Sequence, residues 1–443
     1  MATPIHTTSS LCPVCLKRLP ATLTREGHEI LLTKNCPEHG SFSTVVWREV
    51  PGAPLFDSWQ RPKLPHKGGN RQTPVSDGCP FDCGLCPAHN QRTCTALIEI
   101  TSRCNLGCPV CFASSGEGTH RELAEVKKMV ESVFKETGGC NLQLSGGEPS
   151  IHPQLLEIIR HADKTGFEFI QLNSNGLRLA EDPAFCRELK EAGLSSVFLQ
   201  FDGINDTPYR ALRGRPLIDV KKRAIANLSA ADIGIVLVPV IVPELNTSQL
   251  WEIVRFGLEH QPYVRGVHFQ PISYFGRFPA EFTPRHFTLP ELMAGLEQQS
   301  GGRVHATDFV PPGCEHALCS FSAKYITQTD GSLTRLGSGS SCTCTPQPAL
   351  QGAIKSIGVT ARQWSSPNTS ETPPKDDLER FIQRAKSHSF TISAMAFMDA
   401  WSLNLERLRG CCIHIAQPDG RLLPFCAANL TSISGRSLYG RKQ

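Results

Sequence analysis

The sequence of 443 residues lacks a strong charge of either sign. It has 45 lysines and arginines against 41 aspartates and glutamates, a net charge of +4. That balance excludes a strongly basic nucleic-acid-binding protein, and equally an acidic solvating tail, as the main character of the chain. The sequence therefore predicts no nucleic-acid partner.

Membrane-length apolar runs and targeting signals are also missing. The longest apolar run, from Ile233 to Val242, contains a glycine and a proline, and it falls short of the roughly 18 residues that a transmembrane helix needs. The first 30 residues have neither the basic start nor the apolar core of a secretory signal. We therefore expect a cytoplasmic protein without a transmembrane segment.

Cysteine, by contrast, is abundant, with 19 residues. Disulfide scaffolds are usually short secreted chains, and this chain is long. Together with the expected cytoplasmic location, this predicts that most of the thiols bind metal.

The chain divides into four predicted segments. Residues 1–50 form a small β unit with metal-ligating residues, and residues 51–95 hold a linker rich in proline, glycine and basic residues, followed by clustered cysteines. Residues 96–282 alternate strands and helices. Residues 283–443 form a cysteine-rich α+β extension with two predicted hairpins, which turn at Asp330-Gly331 and at Pro418-Asp419-Gly420.

The alternating segment predicts an α/β fold with a parallel sheet. The predicted strands are 97–101, 142–145, 169–173, 197–201, 235–242 and 267–270. The predicted helices are 121–136, 153–164, 183–191, 218–231 and 247–260. Six units are two fewer than a complete eight-unit barrel, which predicts an open, partial (β/α)6 barrel of the TIM type.

Three cysteines follow the first strand of this array. Cys104, Cys108 and Cys111 can hold three irons of a [4Fe–4S] cluster and leave the fourth iron open to a small molecule. The same spacing also occurs in structural zinc sites and ferredoxins. However, the loop lies at the carboxyl end of the sheet, where parallel α/β folds build their sites. This position favours a reactive cluster.

A glycine-rich loop follows the second strand. It contains Gly146, Gly147, Glu148 and Pro149. Glycines permit close backbone approach to a ligand, and a glutamate can accept hydrogen bonds from an ammonium group. A tight turn is the alternative interpretation, and the position after the second strand favours ligand binding.

These two motifs resemble those of radical S-adenosylmethionine (SAM) enzymes over residues 97–270. The resemblance implies that Cys104, Cys108 and Cys111 are catalytic and hold a [4Fe–4S] cluster whose open iron binds SAM. Reductive cleavage of SAM would then supply a 5′-deoxyadenosyl radical that removes hydrogen from an unactivated carbon.

The resemblance also implies a set of SAM contacts at the mouth of the barrel. Phe112 is expected near the adenine, and the loop of Gly146, Gly147, Glu148 and Pro149 near the methionine amino group. Asn173 and Asn175 are expected at the ribose or the carboxylate, and Gln200 and Asp202 at the same mouth. Loop capping is the alternative for each asparagine and aspartate.

Two further groups precede the SAM motif. Cys12, Cys15, Cys36 and His39 suit tetrahedral zinc or a rubredoxin-like iron. The next four thiols, from Cys79, Cys83, Cys86 and Cys94, are a complete set for an auxiliary [4Fe–4S] cluster.

The C-terminal cysteines form a less complete pattern. Cys314, Cys319 and Cys426, together with either Cys411 or Cys412, are predicted to hold a further cluster, because a hairpin brings its two ends together. Cys140 and Cys186 are predicted to be packed core thiols. A surface pair is predicted at Cys342 and Cys344.

The whole pattern resembles the multi-cluster radical SAM family of the tetraether lipid synthases and the 7,8-dihydropterin C-methylase. The resemblance includes the stretch from Phe397 to Cys426 and spans nearly the whole chain. It implies C–C bond formation or C-methylation of a lipid or pterin-like small molecule, with electrons from a donor such as ferredoxin or flavodoxin. The doubled Cys411-Cys412 and the lack of a large lipid-binding insertion depart from the family pattern.

Three other functions compete with this interpretation. A radical SAM enzyme that modifies a peptide or protein would also carry auxiliary clusters. An iron–sulfur electron-transfer protein would need the clusters but not the glycine-rich loop. A zinc-ribbon nucleic-acid binder would need a basic surface that this sequence lacks.

Overall fold

The structure is a computed structural model that describes residues 3–66, 73–279, 284–337, 346–367 and 373–440. The predicted pair of Cys342 and Cys344 lies outside the described residues. The described residues form three sheets, of four, thirteen and two strands. The thirteen-stranded sheet carries most of the residues singled out by the sequence.

The N-terminal segment forms an antiparallel sheet in sequential strand order. Its strands are β1 (Thr3–Leu11), β2 (Arg18–Glu26), β3 (Glu29–Cys36) and β4 (Gly40–Arg48). Trp47 on β4 is fully buried and packs against Trp59 of the short helix α1 (Phe56–Trp59), with ring centroids 5.8 Å apart. Because Trp59 Nε1 donates to the Ala317 carbonyl at 2.8 Å, this sheet is attached to the C-terminal region.

The middle of the chain supplies the central strands. They are β6 (Thr95–Arg103), β7 (Glu117–His120), β8 (Asn141–Gly146), β9 (Ile170–Ser174), β10 (Ser196–Gln200), β11 (Gly234–Val238), β12 (Val240–Ile241) and β13 (Val264–Pro271). The short strand β5 (Lys63–Leu64) precedes them and lies outside the large sheet. All six predicted strands are present, and the one predicted at 235–242 is divided. Pro239 separates β11 from β12 because proline has no N–H to donate to a neighbouring strand.

The C-terminal region contributes strands to the same sheet. They are β14 (Ser320–Thr327), β15 (Leu333–Leu336), β17 (Ser389–Met395), β18 (Ile413–Ala416) and β19 (Leu422–Pro424), while β16 (Gln347–Pro348) pairs with β5. The two predicted hairpins are β14–β15 and β18–β19.

The parallel part of the sheet has eight strands, in the order β18-β6-β8-β9-β10-β11-β13-β17. The prediction of six was too low, since β17 and β18 lie far along the chain from the strands they pair with. Antiparallel strands end the sheet on both sides, β15 on one side and β19 on the other.

Helices connect the strands, and those between β6 and β13 pack on one face of the sheet. The described helices are α2 (Leu123–Thr137), α3 (Leu155–Thr165), α4 (Leu177–Glu181), α5 (Pro183–Glu191), α6 (Asp206–Arg213), α7 (Ile218–Ala230), α8 (Leu250–Glu259), α9 (Leu289–Ser300), α10 (Ala349–Trp364), α11 (Asp377–Ser387), α12 (Leu405–Arg409) and α13 (Phe425–Ala428). The start of helix α5 is determined by two adjacent residues. Asp182 accepts from the Phe185 amide at 3.0 Å, and Pro183 occupies the first helical position.

The two faces of the central sheet differ in polarity. Leu144, Leu172 and Leu199 alternate onto the face that packs in one apolar core with the helices. The opposite, inner face carries Gln143 and Gln171 on adjacent strands, joined by a hydrogen bond of 2.7 Å. A polar inner face is suited to hold a hydrogen-bonding ligand rather than an apolar core.

Helix α10 ends against this inner face. The Trp364 ring lies 4.8 Å from the Phe198 ring, and Phe198 stacks on His268 at 5.6 Å, measured between centroids. His268 also shares a hydrogen bond of 2.9 Å with Ser393 on β17. The three rings form an aromatic patch beside the amides.

His268 predicts an acid sensitivity of the fold. Burial lowers its pKa to about 4, so on acidification the unfolded chain takes up the proton first. The free energy of unfolding should therefore fall by about 2 kcal/mol between pH 7.5 and 5 through this residue alone. Urea unfolding at the two pH values measures this change in the free energy of unfolding. The change should be smaller in His268→Gln and should persist in His305→Gln, whose imidazole is exposed. If the free energy of unfolding changed equally between the two pH values in both variants, this role would be contradicted.

Candidate active site at the carboxyl ends of the strands

The three cysteines predicted to hold the reactive cluster lie in the loop after β6. The Cys104 amide donates to the Gly116 carbonyl at 2.8 Å, and its Sγ accepts from the Leu106 amide at 3.4 Å. Cys108 is buried, whereas Cys104 and Cys111 are partly exposed. The loop thus presents thiols at the carboxyl edge of the sheet, as the sequence predicted.

Arg277, which follows β13, holds this loop in place through hydrogen bonds. Its amide and carbonyl exchange hydrogen bonds with Cys111 at 2.9 and 2.8 Å, and its Nε donates to the Cys108 carbonyl at 2.9 Å. The first and the sixth predicted strands are therefore joined at the cysteine loop. The sequence analysis missed Arg277 because no local motif surrounds it.

Burial dominates the electrostatics of the thiols. It raises the pKa of Cys104 to about 12, with Glu148 adding to the effect. Burial also raises the pKa of Cys108, while the neighbouring Arg213 opposes that rise. These thiols need a bound metal to be held as thiolates at neutral pH.

A buried ion pair places Arg213 beside Cys108. The Arg213 Nε and Nη2 atoms donate to the two Asp202 oxygens at 2.7 and 2.8 Å, and its Nη1 donates to the Val110 carbonyl at 3.2 Å. Asp202 is fully buried and also accepts from the Val240 amide at 3.2 Å. Its carboxylate, predicted to face a ligand, thus binds protein groups in the structure.

The glycine-rich loop lies against the end of β6. Gly146 has a φ of 134°, and a Cβ atom there would come 2.1 Å from the Thr101 carbonyl oxygen. At Gly147 a Cβ would come 2.2 Å from the Arg103 carbonyl oxygen. These glycines therefore allow the loop to pack closely against β6, the neighbouring strand. Pro149 is buried and begins a short 3₁₀ turn, Pro149–Ile151.

Glu148 connects this loop to the one after β9. Its carboxylate accepts from Ser174 Oγ at 2.8 Å and from the amides of Asn175 and Ser150 at 2.7 and 3.0 Å. Burial raises its pKa even though these donors lower it. Asn175 Nδ2 in turn donates to Asn105 Oδ1 at 2.8 Å, which connects the network to the cysteine loop.

Lys221 is a second residue that the sequence analysis missed. It is fully buried on α7 and donates to the Asn175 carbonyl at 2.6 Å and to Gln200 Oε1 at 3.3 Å. Burial lowers its pKa to about 8. Its cationic end therefore lies under the loops predicted to contact SAM.

The remaining predicted contacts are more accessible. Phe112 is 40% exposed, and its ring lies 5.9 Å from the Phe425 ring. Asn173 and Gln200 are half-buried on the inner face of the sheet. Among the described residues, the buried Asn173 Oδ1 has no hydrogen-bond donor.

The N-terminal sheet brings its four predicted ligands together. Cys12 Sγ and Cys36 Sγ lie 3.7 and 3.5 Å from His39 Nδ1, and Cys15 Sγ lies 3.9 Å from Cys36 Sγ. Tetrahedral zinc with bonds of about 2.3 Å separates its ligand atoms by about 3.8 Å. These four residues fit a single metal ion.

This geometry predicts the effect of removing one ligand. Cys36→Ser is expected to lose about one zinc or iron ion per chain and to exchange the amide hydrogens of β3 and β4 faster, because structural sites need all four ligands. Metal analysis and hydrogen exchange measure the two effects. Ser41→Ala, at an exposed position near the start of β4, is the matched control and should change neither.

The four cysteines predicted as one auxiliary set are separated in the structure. Cys79, Cys83 and Cys86 line one cavity together with His89. Cys94 does not line this cavity. The sequence spacing placed all four together because it carries no information on where the chain after Cys86 turns.

Cys94 instead meets two cysteines of the C-terminal region. The sulfur atoms of Cys94, Cys314 and Cys412 lie within 4.8 Å of one another, and the Cys94 and Cys412 sulfurs are 3.0 Å apart. Cys314 precedes β14 near one edge of the large sheet, whereas Cys94 and Cys412 precede β6 and β18 near the other. The two edges of the sheet therefore approach each other at these thiols.

The predicted C-terminal set is divided as well. Burial raises the pKa of the Cys411 thiol, and its neighbours Cys426 and Cys319 raise it further. Cys412 lies in the set with Cys94 and Cys314, whereas the adjacent Cys411 lies outside it, as do Cys319 and Cys426. Cys140 and Cys186 are buried in the apolar core, as predicted.

No helix in the described part of the chain is both long and apolar enough to cross a membrane.

Comparisons with known proteins agree with the two motif regions. The family model described as "Radical SAM superfamily" matches residues 98–257, and the "HMPTM N-terminal zinc ribbon domain" model matches residues 4–48. A solved structure of Streptococcus suis SuiB is similar with 13% identity and a TM-score of 0.40, covering 47% of this chain and 46% of that one.

Two curated relatives show how far the similarity extends. A "Probable GTP 3′,8-cyclase" from Methanothermobacter thermautotrophicus is 30% identical over 176 residues, covering 39% of this chain and 56% of that protein. The "7,8-dihydro-6-hydroxymethylpterin dimethyltransferase" of Methanocaldococcus jannaschii is 33% identical over 473 aligned positions, covering 95% of this chain and 93% of that protein. The chain is therefore an enzyme of the radical SAM superfamily and belongs to the family of that dimethyltransferase.

Proposed function

We propose that the chain is a radical SAM enzyme that methylates a carbon atom of a pterin-like ring. The observation that carries the proposal is the similarity to the dimethyltransferase along nearly the whole of both chains, including the metal-ligating N-terminal sheet. Fold alone would not define a substrate.

The cysteine loop fits a [4Fe–4S] cluster with one open iron. Cys104, Cys108 and Cys111 supply three thiols, and burial keeps these thiols protonated unless a metal binds them. When bound there, the cluster and SAM supply a 5′-deoxyadenosyl radical. Electrons come from an external one-electron donor such as ferredoxin or flavodoxin.

The protein's own residues hold and shape this site. Arg277 fixes the backbone of Cys108 and Cys111, and Arg213 places a positive charge next to Cys108. Lys221 and Asn175 lie under the loops where the carboxylate and amino groups of SAM would bind. Phe112 offers an exposed ring for the adenine.

The inner face of the sheet favours a polar, planar substrate over a lipid chain. Gln143 and Gln171 bond to each other, and Asn173 Oδ1 has no donor among the described residues. Phe198 and His268 add aromatic faces. A pterin ring offers donors at its edge for this oxygen and a face for stacking, whereas an alkyl chain would leave Asn173 Oδ1 unpaired.

The test is anaerobic transfer of deuterium. The reconstituted enzyme, dithionite and SAM are incubated with deuterated 7,8-dihydro-6-hydroxymethylpterin, with a deuterated dialkyl ether lipid, or with neither. We expect 5′-deoxyadenosine that carries deuterium only with the pterin. Deuterium from the lipid and none from the pterin would reject the proposed substrate, and absence of 5′-deoxyadenosine from an iron-loaded enzyme with every substrate would reject radical SAM chemistry.

A further inference from the structure

A carboxylate lies next to the thiol set formed by Cys94, Cys314 and Cys412. Glu315 follows Cys314 directly, and its Oε2 lies 3.8 Å from Cys412 Sγ. All three thiols are buried. Among the described residues, no fourth cysteine, histidine, aspartate or glutamate has a ligand atom within 4.8 Å of all three sulfur atoms, and Glu315 approaches the set on the side of Cys412.

Three thiolates leave a metal centre one ligand short. Tetrahedral zinc takes four protein ligands in structural sites, and [4Fe–4S] clusters take one ligand for each iron. Carboxylate oxygen is an accepted ligand for zinc, at about 2.0–2.2 Å. Glu315 therefore offers a donor of the missing type beside Cys412, one of the three thiols.

Neighbouring groups orient the Glu315 side chain. Ser320 Oγ donates to its Oε1 at 2.6 Å, which leaves Oε2 on the side of Cys412. Lys63 Nζ bonds to the Glu315 backbone carbonyl and donates to the Pro312 carbonyl at 3.2 Å, which fixes the loop. The carboxylate is thus held rather than free to turn into solvent.

The rest of the surroundings is apolar and tightly packed. Ala353 of α10 packs with the three thiols, with Ile357 and Ile413 at the rim. A Cβ on Gly352 would come 2.0 Å from the Gly313 carbonyl oxygen, so glycine is required for α10 to lie this close to the Cys314 loop. A metal held here would be shielded from water. Two side-chain oxygens lie near the thiols, Glu315 Oε2 at 3.8 Å from Cys412 Sγ and Thr95 Oγ1 at 3.8 Å from Cys94 Sγ, and the carboxylate is the anionic one of the two.

Cys140 is the competing fourth thiol. It lies near Cys94, because the Asn141 amide donates to the Cys94 carbonyl at 3.0 Å. However, the Cys140 side chain belongs to the helix-side apolar core and interacts with Thr137. Its thiol lies outside the set of three.

We propose that Glu315 is the fourth protein ligand of a metal centre whose other ligands are Cys94, Cys314 and Cys412. This inference goes beyond the proposed function, since it concerns a second centre and holds for any substrate. Three thiolates and one carboxylate suit either a single tetrahedral ion or an iron–sulfur cluster, and the experiment distinguishes the two.

The test uses the full-length chain with Cys104, Cys108 and Cys111 changed to alanine, so that its outcome is independent of SAM chemistry. In this background, Glu315→Ala, Glu315→Cys and the control Cys140→Ser are reconstituted anaerobically with iron, sulfide and zinc. Iron, zinc and labile sulfide are counted per chain, and EPR spectra are recorded after mild oxidation.

For a cluster, Glu315→Ala is expected to show a new [3Fe–4S] signal that is absent from the background protein and from Glu315→Cys. For a single ion, Glu315→Ala is expected to lose about one zinc or iron ion with no loss of sulfide, and Glu315→Cys to keep it. Glu315→Gln preserves the side-chain volume if the alanine variant does not fold, and it should show the same change at lower yield.

Two results would overturn the assignment. One is unchanged metal content and EPR in both Glu315→Ala and Glu315→Gln. The other is loss of the same metal in Cys140→Ser, which would make Cys140 the fourth ligand.

Discussion

Replacing Cys108 with alanine is expected to abolish formation of 5′-deoxyadenosine from SAM. Cys108 is the most buried of the three loop thiols and the one beside Arg213. Without it the cluster would have only two thiolate ligands, and about four irons per chain should be lost while the other centres remain. Product formation by liquid chromatography, with iron analysis of the same samples, measures both effects.

Cys186→Ala is the matched control for this prediction. Cys186 is also a buried thiol, but it lies on α5 in the apolar core, where its Sγ contacts the Leu179 carbonyl. Its replacement should leave the iron content and SAM cleavage unchanged. Full activity in Cys108→Ala would remove this residue from the proposed cluster.

Replacing Asp202 with alanine is expected to cause the largest loss of stability. The change leaves the Arg213 guanidinium buried without its carboxylate, and breaking one side of a buried ion pair costs about 3–5 kcal/mol. Urea unfolding of the reconstituted enzyme measures this cost. Iron content should also fall, because Arg213 lies beside Cys108.

Two comparisons separate the buried pair from general effects. Glu259→Ala breaks an exposed pair with Arg255 on α8 and should cost no more than about 1 kcal/mol. The double variant Asp202→Ala/Arg213→Met removes both charges and should be more stable than Asp202→Ala alone. A single variant as stable as the wild type would show that Arg213 does not depend on Asp202.

Local pattern was enough to predict most of the central elements. Helix α5 begins at Pro183 and ends at Glu191, as predicted, because its capping aspartate and first-turn proline are adjacent in sequence. The cysteine loop after β6 and the glycine-rich loop after β8 were also placed correctly. Each of these features depends on residues within one turn or one strand end.

Long-range pairing was not predictable in the same way. β17 is buried at every position and completes the parallel sheet beside β13, although more than 100 residues separate them. Nothing in the short sequence of β17 indicates which strand it pairs with. The proposed roles of Arg277 and Lys221 depend on where loops from distant strands meet, which no motif records.

The sequence alone was enough to predict the class of chemistry, because the cysteine loop and the glycine-rich loop each lie within one short segment and together resemble the radical SAM motifs. Only the tertiary structure decided how the other cysteines are shared. It places Cys94 with Cys314 and Cys412, and it leaves Cys411, the sequence neighbour of Cys412, outside this set. The physical reason is that these ligand sets are assembled from separate segments. Their distances are set by how the sheet curls and brings its edges together, and not by separation along the chain.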